Sequence, residues 1–233
     1  PILALWPISP ASLLLTNGGS IVQYDGINAA MDCRMNPLLS GAMTKIWASA
    51  PQDVYAVGRT GTIVHFDGST WRRVESGTTT NINDAWGDSH QVLCAVSNRL
   101  QTGERKLLRV FPDGSVRTVE GTPGRSIHTV WYASPRQLWI GGGGLFVEHH
   151  GGWQEVLDLP LYYSTRIRGN GTNDVFVAGA FGLLGHFNGA VWHHYAEVQM
   201  PAGAYEGMAV SGDRVIAVGY NGARAVLLVG RGR

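Results

Sequence analysis

Cysteine is scarce in this chain. Its 233 residues include only Cys33 and Cys94, too few for a disulfide framework. The repeat register given below puts the two in the first and third repeats, on non-adjacent units. A disulfide needs neighbouring Cβ atoms, so none is expected between them. Lysine is equally scarce, at Lys45 and Lys106 only, and arginine supplies the other positive charge. Lys and Arg total 18 against 17 Asp and Glu, a net charge of +1. That leaves no broad basic field for nucleic acid or anionic lipid. No apolar run approaches the roughly 20 residues of a membrane-spanning helix, so no membrane insertion is expected. Charged residues make up 15% of the chain, and 32 residues are glycine. This composition is too apolar for disorder and too interrupted for long helices. The sequence opens on Pro1 rather than Met, which reads as a processed or cut terminus with any targeting signal upstream.

What is present is a repeat. The stretch from Ile46 to Ser76 is the clearest copy, and alignment on its Trp47 gives counterparts at Trp6, Trp86, Trp131, Arg168 and Met208. Eleven residues after the six anchors stand Asn17, Gly58, Ser97, Gly142, Gly179 and Gly219, four of them glycine at one fixed offset. Each copy holds four short strand signals. The first carries the anchor, as in Lys45-Ile46-Trp47. The second is a near-continuous apolar run such as Val54-Tyr55-Ala56-Val57 or Val175-Phe176-Val177-Ala178, the pattern of a strand buried on both faces. The third runs as Ile63-Val64-His65-Phe66. It ends in an Asp67-Gly68 or Asn188-Gly189 dipeptide, which tolerates positive φ and favours tight hairpins. The fourth opens on an aromatic: Trp71, Trp153 or Trp192.

Four antiparallel strands per unit of about 40 residues, repeated in tandem, describe a six-bladed β-propeller, an all-β fold of four-stranded antiparallel blades. The repeats span approximately 2–42, 43–81, 82–125, 126–163, 164–203 and 204–233 and are read as a single domain. Residues Arg99 to Lys106 lengthen the second hairpin of the third repeat. The sixth repeat stops after its third strand at Val226-Leu227-Leu228-Val229, so the last blade lacks its outer strand in this sequence. Either that blade has three strands or the natural chain is longer. A lone blade cannot cover its own two faces, so the anchor Trp residues, Trp47, Trp86 and Trp131 among them, are expected to be buried between blades. Cys94 aligns with Tyr55 and reads as a small buried hydrophobe.

The motif Asp53-Val54-Tyr55-Ala56-Val57-Gly58, then Gly61, then His65-Phe66-Asp67-Gly68 and Trp71 resembles the tandem propeller repeats of many secreted or surface bacterial proteins. It is similar, more distantly, to Asp-box and photosystem-assembly-factor propellers. It departs from an Asp box in having Asp67 and Gly68 adjacent rather than separated by one residue. The resemblance covers nearly the whole chain. It implies an extracytoplasmic scaffold, secreted or at the cell surface, that binds sugars, proteins or surface polymers, and it implies no shared chemistry.

Catalytic and metal signatures are weak. His65, His149 and His186 align at one third-strand position of three different repeats, too dispersed to share an ion. The pairs His149-His150 and His193-His194 point to opposite faces of their strands. No nucleophile elbow, His-Glu-x-x-His or phosphate loop occurs. No cofactor, metal or catalytic residue is assigned. The polar feature that does recur lies two residues before the anchors, at the start of the innermost strands, where Lys45, Asp84, Arg166 and Glu206 fall. These charges either neutralise one another around a channel rim or form a polar binding cup. The loops expected on the same face add Arg59, Tyr162, Tyr163, Phe181, Tyr205 and Tyr220, aromatic and polar groups suited to a protein partner or a glycan. The leading reading is therefore a non-enzymatic binding or scaffold module for such a ligand. A glycan-active hydrolase or lyase using a channel-mouth carboxylate, and a structural subunit of a larger assembly, are the alternatives.

Overall fold

The structure is a computed structural model that describes residues 2–98, 103–134 and 136–231. Residues 99–102 of the lengthened third-repeat hairpin lie outside the described residues. Among the described residues twenty-three strands form six antiparallel sheets, one per repeat. Sheet 1 contains β1 (Ile2–Ser9), β2 (Ser12–Asn17), β3 (Ser20–Tyr24) and β4 (Ala29–Asp32). Sheet 2 contains β5 (Met43–Ala50), β6 (Asp53–Gly58), β7 (Ile63–Phe66) and β8 (Trp71–Arg73). Sheet 3 contains β9 (Ile82–Asp88), β10 (Gln91–Val96), β11 (Lys106–Val110) and β12 (Val116–Thr118). Sheet 4 contains β13 (Ile127–Ser134), β14 (Gln137–Gly142), β15 (Leu145–His149) and β16 (Gly152–Glu155). Sheet 5 contains β17 (Ser164–Gly171), β18 (Asp174–Gly179), β19 (Leu184–Phe187) and β20 (Trp192–His194). Sheet 6 has three strands, β21 (Gly203–Ser211), β22 (Arg214–Asn221) and β23 (Arg224–Arg231). Among the described residues the helical content is two 3₁₀ turns, Asn36–Leu38 and Ala196–Val198. The fold class is all-β, a six-bladed β-propeller. The chain divides into two compact units, Pro1–Glu120 with sheets 1–3 and Gly121–Arg233 with sheets 4–6.

Within each unit consecutive sheets stack face on face. In the first unit, Trp47, Tyr55, Val57 and Ile63 of sheet 2 bury against Ile82, Ala85, Val92, Cys94 and Leu108 of sheet 3. The opposite face of sheet 2, with Ile46, Val54, Ala56 and Val64, packs on Leu14 and Ile21 of sheet 1. In the second unit, Ala178 and Leu184 of sheet 5 pack on Tyr205 and Ala217 of sheet 6. A side-chain bridge repeats beside these contacts. Thr44 Oγ1 donates to Ile82 O of the next sheet at 2.6 Å, and Thr165 Oγ1 donates to Tyr205 O in the same way.

The recurrent glycines follow from close backbone approach. A Cβ on Gly58 would lie 2.2 Å from Ala42 O, and one on Gly179 would lie 2.2 Å from Tyr163 O. In both sheets the end of the second strand presses on the linker that leads into its own first strand. Gly61 and Gly182 are also in the left-handed region, at φ +64° and +71°. A Cβ there would meet Thr78 O at 1.8 Å and Met200 N at 2.4 Å respectively. The hairpins at the opposite end share a turn. Asp67 accepts from Ser69 and Thr70 N–H, and Asn188 accepts from Ala190 and Val191 N–H. Gly68 and Gly189 follow at φ +92° and +95°.

The register corrects several sequence alignments. In sheet 2 a bulge near the β5–β6 turn adds a residue, so Trp47 faces Tyr55. Sheet 3 has no such bulge; Trp86 faces Leu93 and Cys94 faces Ala85. Cys94 therefore occupies the Ala56 position rather than that of Tyr55, and Val96, not Ser97, is the counterpart of Gly58. Burial pushes the Cys94 thiol pKa up. Sheet 6 also lacks the turn bulge; Ala209 faces Ile216 and Gly207 faces Val218. Its anchor is thus Ala209 rather than Met208. His149 is not equivalent to His65 and His186, because Val147 faces Trp139 at that position. Trp47 and Trp131 are buried as expected, while Trp86 is half-buried.

Two stability measurements check this packing. Trp131→Ala, at a site 2% exposed, should cost about 3–5 kcal/mol in chemical denaturation. Gly182→Ala should cost more than about 1 kcal/mol, whereas Gly124→Ala, with open space at its Cβ and no positive φ, should leave the midpoint unchanged. Equal midpoints for the two glycine variants would disprove the close-approach account.

Candidate functional site

In sheets 2 and 5 the turn between the second and third strands and the linkers between repeats gather at one end. In sheet 2, Arg59 N–H donates to Ala42 O at 2.9 Å and Gly61 N–H to Thr80 O at 3.0 Å. In sheet 5, Ala180 N–H donates to Tyr163 O, Phe181 N–H to Gly203 O and Met200 N–H to Phe181 O. The β18–β19 turn is thereby laced to linkers on both sides. The sequence expectation that these loops share one face holds within both sheets.

The first unit contains Lys45, Asp84 and Arg59. Lys45 Nζ lies 4.0 Å from Asp84 Oδ1, and both side chains are buried. The ammonium also sits over the Trp6 ring, 5.1 Å from its centroid. Trp6 in turn packs against Trp47 and Trp86 at 6.3 and 5.8 Å. Three first strands thus place an aromatic cluster under one buried ion pair. A charge this deep has little reach for a ligand, and removing either partner strands the other in low dielectric. Arg59 is exposed at the β6–β7 turn, next to Thr60 at φ +56°.

The second unit contains the other seven. Arg166 stands at the Lys45 position and donates to its neighbour Thr165 O at 2.7 Å. Glu206 does not. The missing turn bulge shifts Gly207 into that position and leaves Glu206 where Thr44 and Thr165 stand in their sheets. Tyr205 is 1% exposed, and its hydroxyl donates to Val198 O at 3.2 Å. Burial raises its pKa. Its side chain is core, so it offers no surface to a ligand. Tyr163 packs edge-on against His128 at 5.6 Å. Tyr220 is 44% exposed but lies on the outer face of sheet 6.

Tyr162 and Phe181 are brought together, with ring centroids 5.1 Å apart at 61°. Phe181 is half exposed and holds φ +57°, a left-handed conformation unfavourable for a bulky residue. Leu161, which precedes Tyr162 in the chain, is also exposed. The crevice under Tyr162, between Leu159, Pro160, Ser164 and Leu183, has about 10 Å³ of free space, no more than one water.

Sequence reading missed a paired feature of sheets 2 and 5. His65 Nε2 meets Asp53 Oδ1 at 2.7 Å while stacking on Tyr55 at 4.0 Å. His186 meets Asp174 at 2.8 Å and stacks on Phe176 at 4.1 Å. The signal was the identical Asp-x-aromatic spacing with His twelve residues after Asp. These imidazoles brace the second and third strands of one sheet. No three His, Cys, Asp or Glu side chains cluster as metal ligands among the described residues.

No family model matches the chain, and no curated protein matches it. Solved structures do. One of YCF48 bound to D1 peptide superposes over 100% of this chain and 77% of its own, at 14% identity and a TM-score of 0.76. YCF48 from Cyanidioschyzon merolae covers 99% of this chain and 95% of its own, at 15% identity and a TM-score of 0.67. PorZ, a surface component of the type-IX secretion system of Porphyromonas gingivalis, covers 97% of this chain and 32% of its own, at 13% identity and a TM-score of 0.65. At these identities the likeness is one of fold, and by fold the chain is a β-propeller.

Proposed function

We propose that this chain is a non-enzymatic binding module that takes a protein segment on the turn-and-linker end of sheet 5, at Leu161, Tyr162 and Phe181, with Arg166 on the adjoining strand. The observation that carries the reading is Phe181. A half-exposed phenylalanine held in the left-handed region costs on the order of 1 kcal/mol or more, at a position where glycine would be unstrained. Such strain on a surface turn is offset by little more than the edge contact with Tyr162, and it is compatible with an aromatic kept outward for a ligand. The neighbouring exposed Leu161 and the edge-stacked Tyr162 extend it into an apolar ledge. A crevice that admits only one water excludes a deeply inserted small molecule and favours a surface-lying chain with apolar side groups. That one neighbour of this fold was solved with a peptide bound is consistent with such a ligand. Surface and extracellular propellers among the neighbours fit an extracytoplasmic location, secreted or at the cell surface.

A random linear peptide library screened against the intact chain tests this, with a glycan array in parallel. Selected peptides should bind Phe181→Gly and Tyr162→Ala at least ~10-fold more weakly than the parent chain. Phe181→Gly should at the same time raise stability by about 1 kcal/mol through release of backbone strain. Asn188→Ala, at the opposite end of sheet 5, should leave affinity unchanged. Peptide binding indifferent to Phe181 and Tyr162 would sink the assignment, and hits confined to the glycan array would replace the protein ligand by a sugar.

A further inference from the structure

Sheet 6 has three strands where the other sheets have four, so β23 has a ladder partner on one side only among the described residues. The complete sheets show which backbone groups the other side carries. In sheets 2 to 5 the carbonyls of Ile63, Leu107, Leu145 and Leu184 accept N–H groups from the fourth-strand segment, at Val74, Val119, Val156 and Tyr195. Leu227 stands at that position in sheet 6, paired with Val218 as Ile63 is with Val57 and Leu184 with Ala178. Four residues on, the N–H groups of Asp67, Phe111 and Asn188 donate to Thr70, Ser115 and Val191 O. Arg231 stands at that position in sheet 6. Backbone groups alternate sides along a strand, so Leu227, Val229 and Arg231 turn their N–H and C=O to the open edge.

Sheet 5, in the same unit, lies beside that edge with part of its face uncovered. Ala178 and Leu184 pack on sheet 6. Two residues further out on the same face, Phe176 is half-buried, and the side chain of His186 stacked on it is 25% exposed. By register the counterparts of Phe176 are Tyr55 and Trp139, which are 3% and 1% exposed. Each of those two is covered by the first residue of the next sheet's fourth strand. Val116 packs in the group that holds Tyr55, and Trp192 lies edge-on to Trp139 at 5.5 Å. Sheet 6 has no fourth strand to do the same for Phe176. The third strand differs too. Phe66 and Phe187 stand opposite Trp71 and Trp192, at 5.1 and 5.4 Å between ring centroids. Gly230 occupies that position in sheet 6, which leaves the room of a ring to an incoming side chain.

We infer that β23 is a docking edge for an extended segment of another polypeptide, which adds antiparallel as the fourth strand of sheet 6. The segment seats a large apolar side chain, best an aromatic one, opposite Gly230 and over Phe176. A row of outward N–H and C=O groups is matched by an extended backbone, and strand addition to a sheet edge is an established mode of peptide recognition. Alternate residues of the segment face sheet 5, so those are apolar and the ones between them are free to be polar. Charge adds to the description. β23 opens on Arg224 and closes on Arg231, both exposed and neither ion-paired among the described residues, so carboxylates near the ends of the segment are favoured. The other five sheets return the chain at the third hairpin with a side chain that accepts an N–H: Asp25, Asp67, Asp113, Glu148 or Asn188. The residues at the corresponding place, Gly230-Arg231-Gly232-Arg233, offer no such acceptor, which favours a strand supplied by a different molecule. Gly230 and Phe176 lie toward the Asn188 hairpin, away from the Phe181 end of sheet 5, so this edge and the Phe181 ledge are separate sites.

A library of short linear peptides with one fixed tryptophan, selected against the intact chain, tests the inference. Bound peptides should slow hydrogen exchange of the β23 amides and carry more Asp and Glu than Lys and Arg. Val229→Pro removes one outward N–H and leaves the ladder to β22 in place, a position where an edge strand tolerates proline. It should weaken these peptides at least ~10-fold with unchanged far-UV circular dichroism. Phe176→Ala should weaken them by a similar factor, and Phe181→Gly should leave them unaffected. N-methylation along the peptide edge that faces β23 should abolish binding, and along its other edge should not, a comparison that stands even if Val229→Pro fails to fold. A library that yields no peptide protecting β23 overturns the inference. So do peptides that bind Val229→Pro and Phe176→Ala as well as the parent chain. Peptides sensitive to Phe181 alone overturn it while upholding the ledge. Self-association of the chain that protects β23 without any peptide, and is lost in Val229→Pro, overturns it in favour of a second copy at this edge.

Discussion

Every sheet in this chain has two apolar faces and can bury both only between other sheets. That constraint organises the rest. Sheet 2 shows it satisfied: Ile46, Val54, Ala56 and Val64 lie against sheet 1, while Trp47, Tyr55, Val57 and Ile63 lie against sheet 3. Stacking of this kind demands close backbone approach at the strand ends, which only glycine permits at Gly58 and Gly179. The first strands are also tied from sheet to sheet through their carbonyls. The hydroxyls of Thr44 and Thr165 reach across to them, in keeping with the rule that buried polar groups find partners.

The turns keep each sheet in register for that stacking. Asp67 and Asn188 hold two N–H groups apiece at the third hairpin, and those bonds hold the Asp67 carboxyl well below the usual range. A one-residue slip would turn every side chain to the wrong face. The Asp53–His65–Tyr55 and Asp174–His186–Phe176 sets add a second lock between second and third strands. They cost the surface little, because both imidazoles sit half-buried on an aromatic ring.

The blade architecture was legible in the sequence because its determinants are local: the apolar second strand, the Asp-Gly and Asn-Gly turns, and the fixed-offset glycine. What was not legible was a single bulge. Its presence at the β5–β6 turn and absence from sheets 3 and 6 moved Cys94 and Glu206 by one position each. One residue in a strand is the difference between two faces. For Cys94 the shift changes which neighbouring sheet it packs against; for Glu206 it removes the residue from the recurring polar position. Charge type was readable as well, but depth was not. Lys45 and Asp84 look like rim charges in sequence but are buried, and the Trp6 ring under Lys45, with Trp47 and Trp86 packed on it, comes from three separate repeats. Tyr205 was misjudged for the same reason, since the linker that covers it lies outside its own strand.

Sheets whose faces are consumed by stacking have only their ends left for recognition. Tight Asp-Gly and Asn-Gly hairpins occupy one end, and their side chains are already spent on their own backbone. The other end is built from linkers of varied length laced to the second hairpin, and there sequence and backbone disagree at one point. Sheet 2 places Thr60 at φ +56° and sheet 5 places Phe181 at +57°. The turn geometry is therefore set by the fold, and the large ring is an addition to it. Threonine at this site shows that the turn needs no aromatic to form. A residue that conflicts with its local conformation while staying outside the core is where function is most economically sought. The buried Lys45–Asp84 pair fails that test, because its burial and its aromatic neighbours account for it as part of the core. Phe181 passes it, and with Tyr162 it gives the proposed ligand a rigid, already ordered surface whose conformational cost is met before binding rather than during it.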